Sequence, residues 1–422
     1  MIGVNQPQSW FWTLCLRVTA ALAFAVALLS AVSQSAQGQT LSVLHAFAGG
    51  TDGALPMAGL TRDAKGNLYG TTSGGGDPSC GGGGGCGTVF KLTRAGKETV
   101  LRRFQAQEFP GASLILDAAG NLYSTTGASG MNGFGTVFKL DAAGKETVLH
   151  SFSGGTDGAS PSAGLIQDSK GNFYGTTYRG GAGCCGYGKG VVFNLDPTGH
   201  ETVLHRFGLP QHDGEQSSAE LIRDSAGNLY GTTALGGGGS GCSGHGCGVV
   251  FRVDPAGKET VLYRFTGGND GAEPFAGLVR DSAGNLYGTT YYGGANDLGV
   301  VFKLDTTNKE TVLHTFTGPP DGANPDGALF LDASDNLYGT TSLGGETARC
   351  TVGNGCGTVY QLRHTSSGWK ETVLYRFTQG TGIFPSGDLI RDSAGNFYGT
   401  TYQGGGSGCS GFGCGVVFKL KP

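Results

Sequence analysis

After residue 40 the chain alternates short apolar runs with polar, glycine-rich segments. The runs are rich in Val, Leu, Phe, Tyr and Thr, and they are separated by Gly, Asp and Pro. This is the pattern of short β-strands joined by turns. No stretch of this region shows the 3.6-residue period of an amphipathic helix. The pattern therefore predicts an all-β protein.

One unit of four such runs is repeated along the chain. Its four runs read AGLIRD, GNLYGTT, GVVFKL and KETVLHRF, each with small changes from copy to copy. The second run marks the copies through its asparagine, which is Asn67, Asn121, Asn172, Asn228, Asn285, Asn336 or Asn396. Four strands in each of seven units are typical of a seven-bladed β-propeller with four antiparallel strands per blade.

Residues at the turns favour antiparallel pairing of consecutive runs. Six copies carry Gly directly before the asparagine of the second run, and the remaining copy carries Asp335. The turn between the third and fourth runs has Gly in five copies and Asn308 in another. Gly, Asn and Asp are the residues that most readily adopt the left-handed backbone of tight turns. Successive strands are thus expected to form hairpins.

The two ends of the repeat region complement each other. Residues 41–47, LSVLHAF, match a fourth run, whereas residues 415–420, GVVFKL, are a third run with no fourth run after it. We expect the N-terminal segment to complete the last blade, because a closed ring leaves no free strand edge. An open solenoid is the alternative, but its ends would not need to complement each other.

Composition and the N-terminus indicate an exported protein. The 82 glycines are balanced by 23 Phe and 15 Tyr, and the net charge is −4 with no block of Lys or Arg. These values argue against nucleic-acid binding and against an anionic membrane surface as partner. Residues 18–32 form one apolar run followed by small polar residues, as in a signal peptide.

We therefore expect a signal peptide over residues 1–38 and a single propeller domain over residues 39–422. The alternative for the first segment is an uncleaved anchor. The protein is expected to be secreted, periplasmic or at the cell surface, and to be a monomer.

Ten of the 11 cysteines fall in five pairs, all in the connection between the second and third runs. The pairs are Cys80 with Cys86, Cys184 with Cys185, Cys242 with Cys247, Cys350 with Cys356, and Cys409 with Cys414. Copies with the shortest connection lack cysteine. In an exported chain this predicts local disulfides, with a zinc site or free thiols as alternatives. The adjacent pair would form a vicinal disulfide or pair with another loop.

Ligand binding is expected on the face that carries the long loops, around the mouth of the central channel. One position near the start of the first run is small in five copies, but it is Glu220 in the fourth copy and Asp388 in the seventh. These carboxylates would face each other across the mouth, with Asp326 near the same rim. They could bind a divalent cation or a polar ligand through oxygen. Well-solvated surface charges are the alternative.

Two further sets of polar residues recur with the repeat. Five aspartates, each followed by Gly, occupy the loop before the first run: Asp52, Asp157, Asp213, Asp270 and Asp321. An aspartate there can accept hydrogen bonds from its own turn, so we predict a structural role, with a cation-binding ring as the alternative. Four histidines share one position of the fourth run and are also predicted to be structural: His45, His150, His205 and His314.

The phrase GNLYGTT…GG…GTVFKL…GKETVLHSF resembles the Gly- and Val-rich tandem repeat called GloVer, found in exported bacterial proteins. The resemblance covers residues 41–420 and lends no established activity and no catalytic residues. Members commonly end in a sorting anchor, whereas this chain ends at Pro422, two residues past its last run. Anchoring of that kind is therefore not expected.

The sequence shows no nucleophile with a neighbouring base, so it predicts no catalytic residue and no bound cofactor. The leading hypothesis is a non-catalytic propeller that binds a carbohydrate, peptide or protein on its loop-rich face. One alternative is a metal-dependent hydrolase or lactonase with a cation held by Glu220, Asp388 and Asp326. A structural envelope protein is the other alternative.

Overall fold

The computed structural model describes residues 39–80, 84–105, 108–181, 188–208, 213–238 and 242–422. The signal peptide predicted for residues 1–38 and the pair Cys184 and Cys185 lie outside these residues. Residues Leu41–Lys421 form one compact unit of seven antiparallel blade sheets and two additional two-stranded sheets. Helical structure among the described residues is limited to a 3₁₀ turn at Cys242–Gly244, and none of them forms a helix suited to crossing a membrane. The predicted seven-bladed, all-β propeller is confirmed.

Each blade has an inner, a second, a third and an outer strand, in chain order. The inner strands of blades 1 to 7 are Thr61–Arg62, Ile115–Leu116, Ile166–Gln167, Ile222–Arg223, Val279–Arg280, Phe330–Leu331 and Ile390–Arg391. The second strands are Leu68–Thr72, Leu122–Thr126, Phe173–Thr176, Leu229–Thr233, Leu286–Thr290, Leu337–Thr341 and Phe397–Gln403.

The other two strands of each blade lie farther from the central channel. The third strands are Thr88–Leu92, Thr136–Leu140, Val191–Leu195, Val249–Val253, Val300–Leu304, Thr358–Thr365 and Val416–Lys421. The outer strands are Glu98–Arg103, Glu146–Ser151, Glu201–Arg206, Glu259–Arg264, Glu310–Thr315, Gly368–Arg376 and, for blade 7, Thr40–Ala46. Short strands on the loop-rich face are Gly214–Glu215 with Leu235–Gly236, Gly322–Ala323 with Leu343–Gly344, and Ile383–Pro385.

The ring closes through the N-terminal strand, as the sequence predicts. Thr40–Ala46 pairs with Val416–Lys421 and becomes the outer strand of blade 7. Directly after this strand, the Phe47 amide donates a hydrogen bond of 3.0 Å to the Gly415 carbonyl. The last blade therefore has no unpaired third strand.

An edge-to-face aromatic pair packs at every interface between neighbouring blades. The seven pairs are Phe47–Phe90, Phe104–Phe138, Phe152–Phe193, Phe207–Phe251, Phe265–Phe302, Phe316–Tyr360 and Phe377–Phe418. Ring centroids lie 5.1 Å apart in the Phe207–Phe251 pair and 5.4 Å apart in the Phe104–Phe138 pair. This spacing and orientation are favourable for aromatic rings. Because Phe47 belongs to blade 7 and Phe90 to blade 1, the series runs around the whole ring.

The glycine in the middle of the second strand leaves room for these rings. A Cβ atom on Gly231 would lie 2.7 Å from Phe251 Cζ and 2.8 Å from Leu221 Cδ2. Blade 2 has Ser124 instead, and its hydroxyl donates a hydrogen bond of 2.9 Å to the Ser113 carbonyl. The small residue at this position of the repeat thus leaves space for the aromatic ring of the third strand and for the leucine before the inner strand of the same blade.

Hairpins between the inner and second strands are stabilised by the Asp that begins them. Asp63 accepts hydrogen bonds from the Asn67 amide at 2.8 Å, from Asn67 Nδ2 at 2.7 Å and from the Tyr69 hydroxyl at 3.2 Å. The two predicted substitutes for glycine, Asp335 and Asn308, have φ angles of 58° and 64°. Both therefore adopt the left-handed backbone that the turns need.

Four of the five predicted cysteine pairs form disulfides within their own loops. They are Cys80–Cys86, Cys242–Cys247, Cys350–Cys356 and Cys409–Cys414. Each lies on the loop-rich face, in the connection between the second and third strands. The disulfides therefore constrain four of the long loops on this face.

Candidate functional site

A central cavity of about 110 Å³ opens on the loop-rich face. Residues shortly before the inner strands line it, three from each of six blades and Asp326 alone from blade 6. In blade 4 these residues are Ser218, Ala219 and Glu220, and the other blades supply equivalent positions. The second strands hold this rim in place: Thr232 donates a hydrogen bond of 3.0 Å to the Ala276 carbonyl of the next blade. The same contact recurs from Thr71, Thr125, Thr176 and Thr400.

All three carboxylates that the sequence singles out line this one cavity. Glu220 Oε2 accepts a hydrogen bond of 2.7 Å from Ser113 Oγ. Asp388 Oδ1 accepts one of 2.7 Å from the Ala328 amide. Asp326 lines the cavity from blade 6, next to the blade that carries Asp388. The structure thus brings residues from three separate repeats together at the mouth.

Burial and mutual repulsion favour protonation of these acids. Burial, reinforced by the charge of Asp388, raises the pKa of Glu220 to about 7, although the Ser113 hydrogen bond acts in the opposite direction. Burial and the same neighbouring charge raise the pKa of Asp326 to about 6. Burial also raises the pKa of Asp388. The mouth is therefore acidic, with at least one of its carboxyl groups able to hold a proton near neutral pH.

The cavity offers further hydrogen-bonding capacity to a ligand. Among its described lining residues none is Lys, Arg or His. Ser218 Oγ is buried and has no hydrogen-bond partner among the described residues. A ligand that is cationic, or neutral and rich in hydroxyl groups, matches this lining, whereas an anion would be repelled.

An aromatic groove of about 290 Å³ adjoins the cavity. Its walls are Tyr291, Tyr402, Phe384, Leu343 and Ser342, and it shares Met57, Asp326 and Ser386 with the central cavity. Tyr291 packs edge to face against Phe275, with ring centroids 5.7 Å apart. Asp326 therefore lies where an apolar, aromatic surface meets the acidic mouth.

The groove residues were not predicted from the sequence, although a signal for them exists. Tyr291 and Tyr402 directly follow the two threonines of the second strand, a position that is also tyrosine in blade 3 (Tyr178) but small in the other four copies. Phe384 has a φ angle of 56°. It is one of seven non-glycine residues with left-handed backbone, one in the segment before each inner strand. The seven residues are Leu55, Phe109, Ser160, Gln216, Glu273, Asn324 and Phe384.

The five loop aspartates lie away from the mouth, between blades. Asp52 accepts a hydrogen bond of 2.7 Å from the Ala48 amide, and Asp157 accepts one of 2.7 Å from the Ser153 amide. Four of them also approach a histidine of the preceding outer strand, as in the 3.0 Å contact of His205 Nε2 with Asp213 Oδ2. These aspartates thus order their own loops, as the structural interpretation expects.

The sequence profile of the Gloeobacter/Verrucomicrobia repeat matches residues 79–278 and 239–422. The chain belongs to this repeat family. Membership agrees with the resemblance drawn from the repeat phrase. None of the curated proteins compared with this repeat-family chain matches it.

Solved structures similar to this repeat-family protein support its fold. One is the extracellular domain of the hybrid two-component system BT3049 from B. thetaiotaomicron, with 13% identity and a TM-score of 0.54. The other is the extracellular domain of the one-component system BT4673 from the same organism, with 10% identity and a TM-score of 0.53. The matches cover 91% and 90% of this chain, but only 41% and 40% of those chains.

A more distant structural relative is XC5397 from Xanthomonas campestris, a gluconolactonase. It has 13% identity and a TM-score of 0.42, with 90% of this chain and 89% of that chain covered. A likeness this distant does not bear on the activity of the repeat-family protein.

Proposed function

We propose that this repeat-family protein is an exported, non-catalytic propeller that binds a carbohydrate on its loop-rich face. The sugar occupies the aromatic groove and reaches into the central cavity, and Asp326 contacts it from the boundary between them. The observation that carries this proposal is the shared lining of groove and cavity by Met57, Asp326 and Ser386.

The groove chemistry supports a sugar ligand. Tyr291, Tyr402 and Phe384 line the groove with aromatic side chains, the kind of apolar surface on which the C–H face of a pyranose packs. Asp326 and Ser386 are positioned beside them to bond hydroxyl groups. Ligand sites commonly combine a mostly apolar wall with a few polar groups that set orientation.

Two other features support binding outside the cell. The four disulfides favour an oxidising compartment, because such bonds are rare in a reducing cytosol. The acidic mouth, with no basic residue among its described lining residues, favours neutral over anionic glycans. A peptide or a protein is the alternative ligand for this face.

The test is a glycan panel followed by calorimetric titration of the purified protein. Tyr402→Ala and Tyr291→Ala should each weaken binding about tenfold or more, because each removes a stacking surface. Tyr178→Ala is the matched control: Tyr178 follows GTT in blade 3 but is absent from the groove lining, and its hydroxyl bonds Gln216. Equal losses in all three variants, or no binding to any glycan, would argue against the proposal.

A second candidate is a metal-dependent hydrolase or lactonase, favoured by the single cavity that Glu220, Asp388 and Asp326 share. Carboxylate oxygens suit a hard divalent cation, which would activate water for attack on an ester. Metal analysis of the purified protein tests this candidate. One divalent ion per chain that is lost in Glu220→Ala supports it, and a metal-free preparation that gains no stability from added Ca²⁺ or Mg²⁺ contradicts it.

A further inference from the structure

At five of the seven blade interfaces, on the outer side of the ring and away from the central cavity, two carboxylates are close enough for the charge of one to act on the other. One is the loop aspartate, and the other is the first glutamate of the next outer strand. The five pairs are Asp52 with Glu98, Asp157 with Glu201, Asp213 with Glu259, Asp270 with Glu310, and Asp321 with Glu371. In each pair the negative charge of the aspartate helps to raise the pKa of the glutamate.

The interface between blades 3 and 4 shows the arrangement most clearly. Asp213 is 1% exposed in its side chain and accepts hydrogen bonds from the Gly214 amide at 2.6 Å and the Gly208 amide at 3.2 Å. A side-chain oxygen of Glu259 and a ring nitrogen of His205 lie within 4.8 Å of an Asp213 oxygen and of each other. Two acids thus share one small buried space with a histidine.

The glutamates of these pairs have a buried oxygen with no protein donor. In all five, Oε1 is buried and finds no hydrogen-bond partner among the described residues. A buried carboxylate oxygen without a donor costs free energy when the group is ionised. A proton on the glutamate removes its charge and with it this cost.

The two remaining interfaces act as internal comparisons. Between blades 1 and 2 the acids are Glu108 and Glu146, and Arg102 replaces the histidine: its Nε lies 2.8 Å from Glu146 Oε2 and its Nη2 lies 4.0 Å from Glu108 Oε2. Between blades 6 and 7, Thr381 and Leu41 replace the aspartate and the glutamate, so no acid pair exists. Leu41 packs against the core instead, and Thr381 Oγ1 accepts a hydrogen bond from the Thr378 amide. Five interfaces therefore have the acid pair without an arginine at the histidine position. One interface has an arginine that contacts the glutamate, and one has no acid at either position.

Other charged groups near the pairs do not replace the missing donor. An arginine at the end of the outer strand faces four of the glutamates: Arg103, Arg206, Arg264 and Arg376. Nε of Arg103, Arg206 and Arg376 donates to the carbonyl directly before the loop aspartate, on the exposed side.

Uncharged polar groups complete the surroundings of the pairs. The Tyr263 hydroxyl donates to Asp270 at 3.1 Å. The Tyr360 hydroxyl is buried near Glu371 and Asp321. Burial lowers the pKa of His45 and of His150, so these two rings are neutral beside their aspartates at pH 7.

We propose that each of these five acid pairs binds one proton between neighbouring blades, so that the ring is held more tightly in mildly acidic than in alkaline surroundings. Each pair then carries a single negative charge, and between blades 3 and 4 Asp213 and Glu259 are close enough to share the proton in a hydrogen bond. When the proton leaves, two like charges face each other in a half-buried interface, and the blades repel.

The electrostatics of the pairs support the proposal. Burial, reinforced by the aspartate charge, raises the pKa of Glu98, Glu201, Glu259, Glu310 and Glu371 to about 7 from an ordinary value of 4.5. A pKa raised in the folded state stabilises the fold fully below the unfolded value, and this contribution is lost as the pH rises through about 7. Near pH 6 the folded chain should hold roughly four to five more protons than the unfolded chain at these sites.

Other titrating groups make a matched variant necessary. Glu220 and Asp326 at the mouth have raised pKa values in the same range. The lowered pKa of His45 and His150 acts in the opposite direction, because those rings charge more readily in the unfolded chain. Only a difference between variants therefore isolates the acid pairs.

The experiment is urea unfolding of the full chain with intact disulfides, in a chelating buffer, at half-unit steps from pH 5 to pH 8.5. The urea midpoint of the wild type should fall steadily from pH 5 to about pH 7 and level off at higher pH. A variant with Glu→Gln at positions 98, 201, 259, 310 and 371 should keep its midpoint at pH 8, with a clearly flatter pH profile. The single variant Glu201→Gln should flatten the profile by about a fifth of that effect, which keeps the test valid if the multiple variant does not fold.

Glu146→Gln is the control, because Arg102 already compensates this glutamate. It should lower the midpoint at every pH and flatten the profile less than Glu201→Gln does, although the charge of Glu146 also helps to raise the pKa of the neighbouring Glu108. A wild-type midpoint that does not change between pH 5.5 and 8 would overturn the proposal. An unchanged slope in Glu201→Gln, or equal flattening in Glu146→Gln, would also overturn it.

Discussion

Ser113 in blade 2 donates a hydrogen bond of 2.7 Å to Glu220 in blade 4, across the position that blade 3 fills with Gly164. A Cβ atom on Gly164 would lie 2.5 Å from Glu220 Oε2. The glycine therefore leaves the space in which the two side chains meet. One acid of the central cavity is thus held by a residue two blades away.

This contact gives a prediction for the charge of the mouth. The Ser113 hydroxyl stabilises the ionised form of Glu220 and so lowers its pKa, against the larger effect of burial. Ser113→Ala should raise the pKa of Glu220 above about 7. Carboxyl-carbon NMR titration, with Glu220→Gln to assign the signal, measures the shift. Ser162→Ala, on the same rim but without a hydrogen bond to Glu220, is the control; an unshifted titration in Ser113→Ala contradicts the prediction.

The glycine of the second strand is predicted to be a packing residue. Gly231→Ala places a methyl group 2.7 Å from Phe251 Cζ, and overpacking of this kind costs about 1–3 kcal/mol. Denaturant unfolding measures the loss. Gly380→Ala is the comparison: a Cβ there meets no atom within 4 Å, so stability should stay the same or rise slightly. If both variants were equally stable, the packing argument would fail.

Ring closure should depend on the aromatic contact between the first and last parts of the propeller. Phe47→Ala removes the pair with Phe90, whose centroids are 5.2 Å apart, and should cost about 3 kcal/mol or more. Val43→Ala in the same strand changes a side chain that is 38% exposed, so its loss should be much smaller. Unfolding midpoints of the two variants test this, and similar losses would show that closure does not rest on the aromatic pair.

The disulfide of blade 7 should stabilise the closed ring. A Cβ on Gly49, just after the N-terminal strand, would lie 2.6 Å from Cys414 Sγ, so the disulfide packs directly on this segment. Replacing both Cys409 and Cys414 with Ser opens a loop with a sequence separation of 5 and should cost about 2 kcal/mol on the loop-entropy estimate. Thiol titration checks that the disulfide is formed in the wild type, and denaturant unfolding measures the loss of stability in the variant. If the variant were as stable as the wild type, the disulfide would not contribute to the stability of the closed ring.

The repeat makes much of the fold predictable. The seven phrases set the number of blades, and Asp335 and Asn308 at glycine positions indicated which turns need left-handed backbone. The complementary ends indicated which segments pair. These features are local in sequence, or they recur seven times, so backbone sterics and strand patterning suffice to read them.

The candidate site was only partly predictable. Glu220 and Asp388 were found because each departs from a position that is otherwise small. The contribution of Tyr291 and Tyr402 to a groove beside Asp326 was missed, since the repeat does not reveal which loop residues turn toward the mouth. That orientation depends on loop conformations set by neighbouring blades.

The sequence by itself determined the number of blades, the strand order, the turns and the local disulfides, because each follows from residues close together in one repeat. Only the tertiary structure decided which polar groups share a space. Ser113 meets Glu220, and Asp213 meets Glu259, because closing a ring of seven sheets brings side chains from different repeats into one buried volume. The protonation of these acids then depends on their burial and on the charge of neighbouring acids, and neither can be predicted from the sequence of a single repeat.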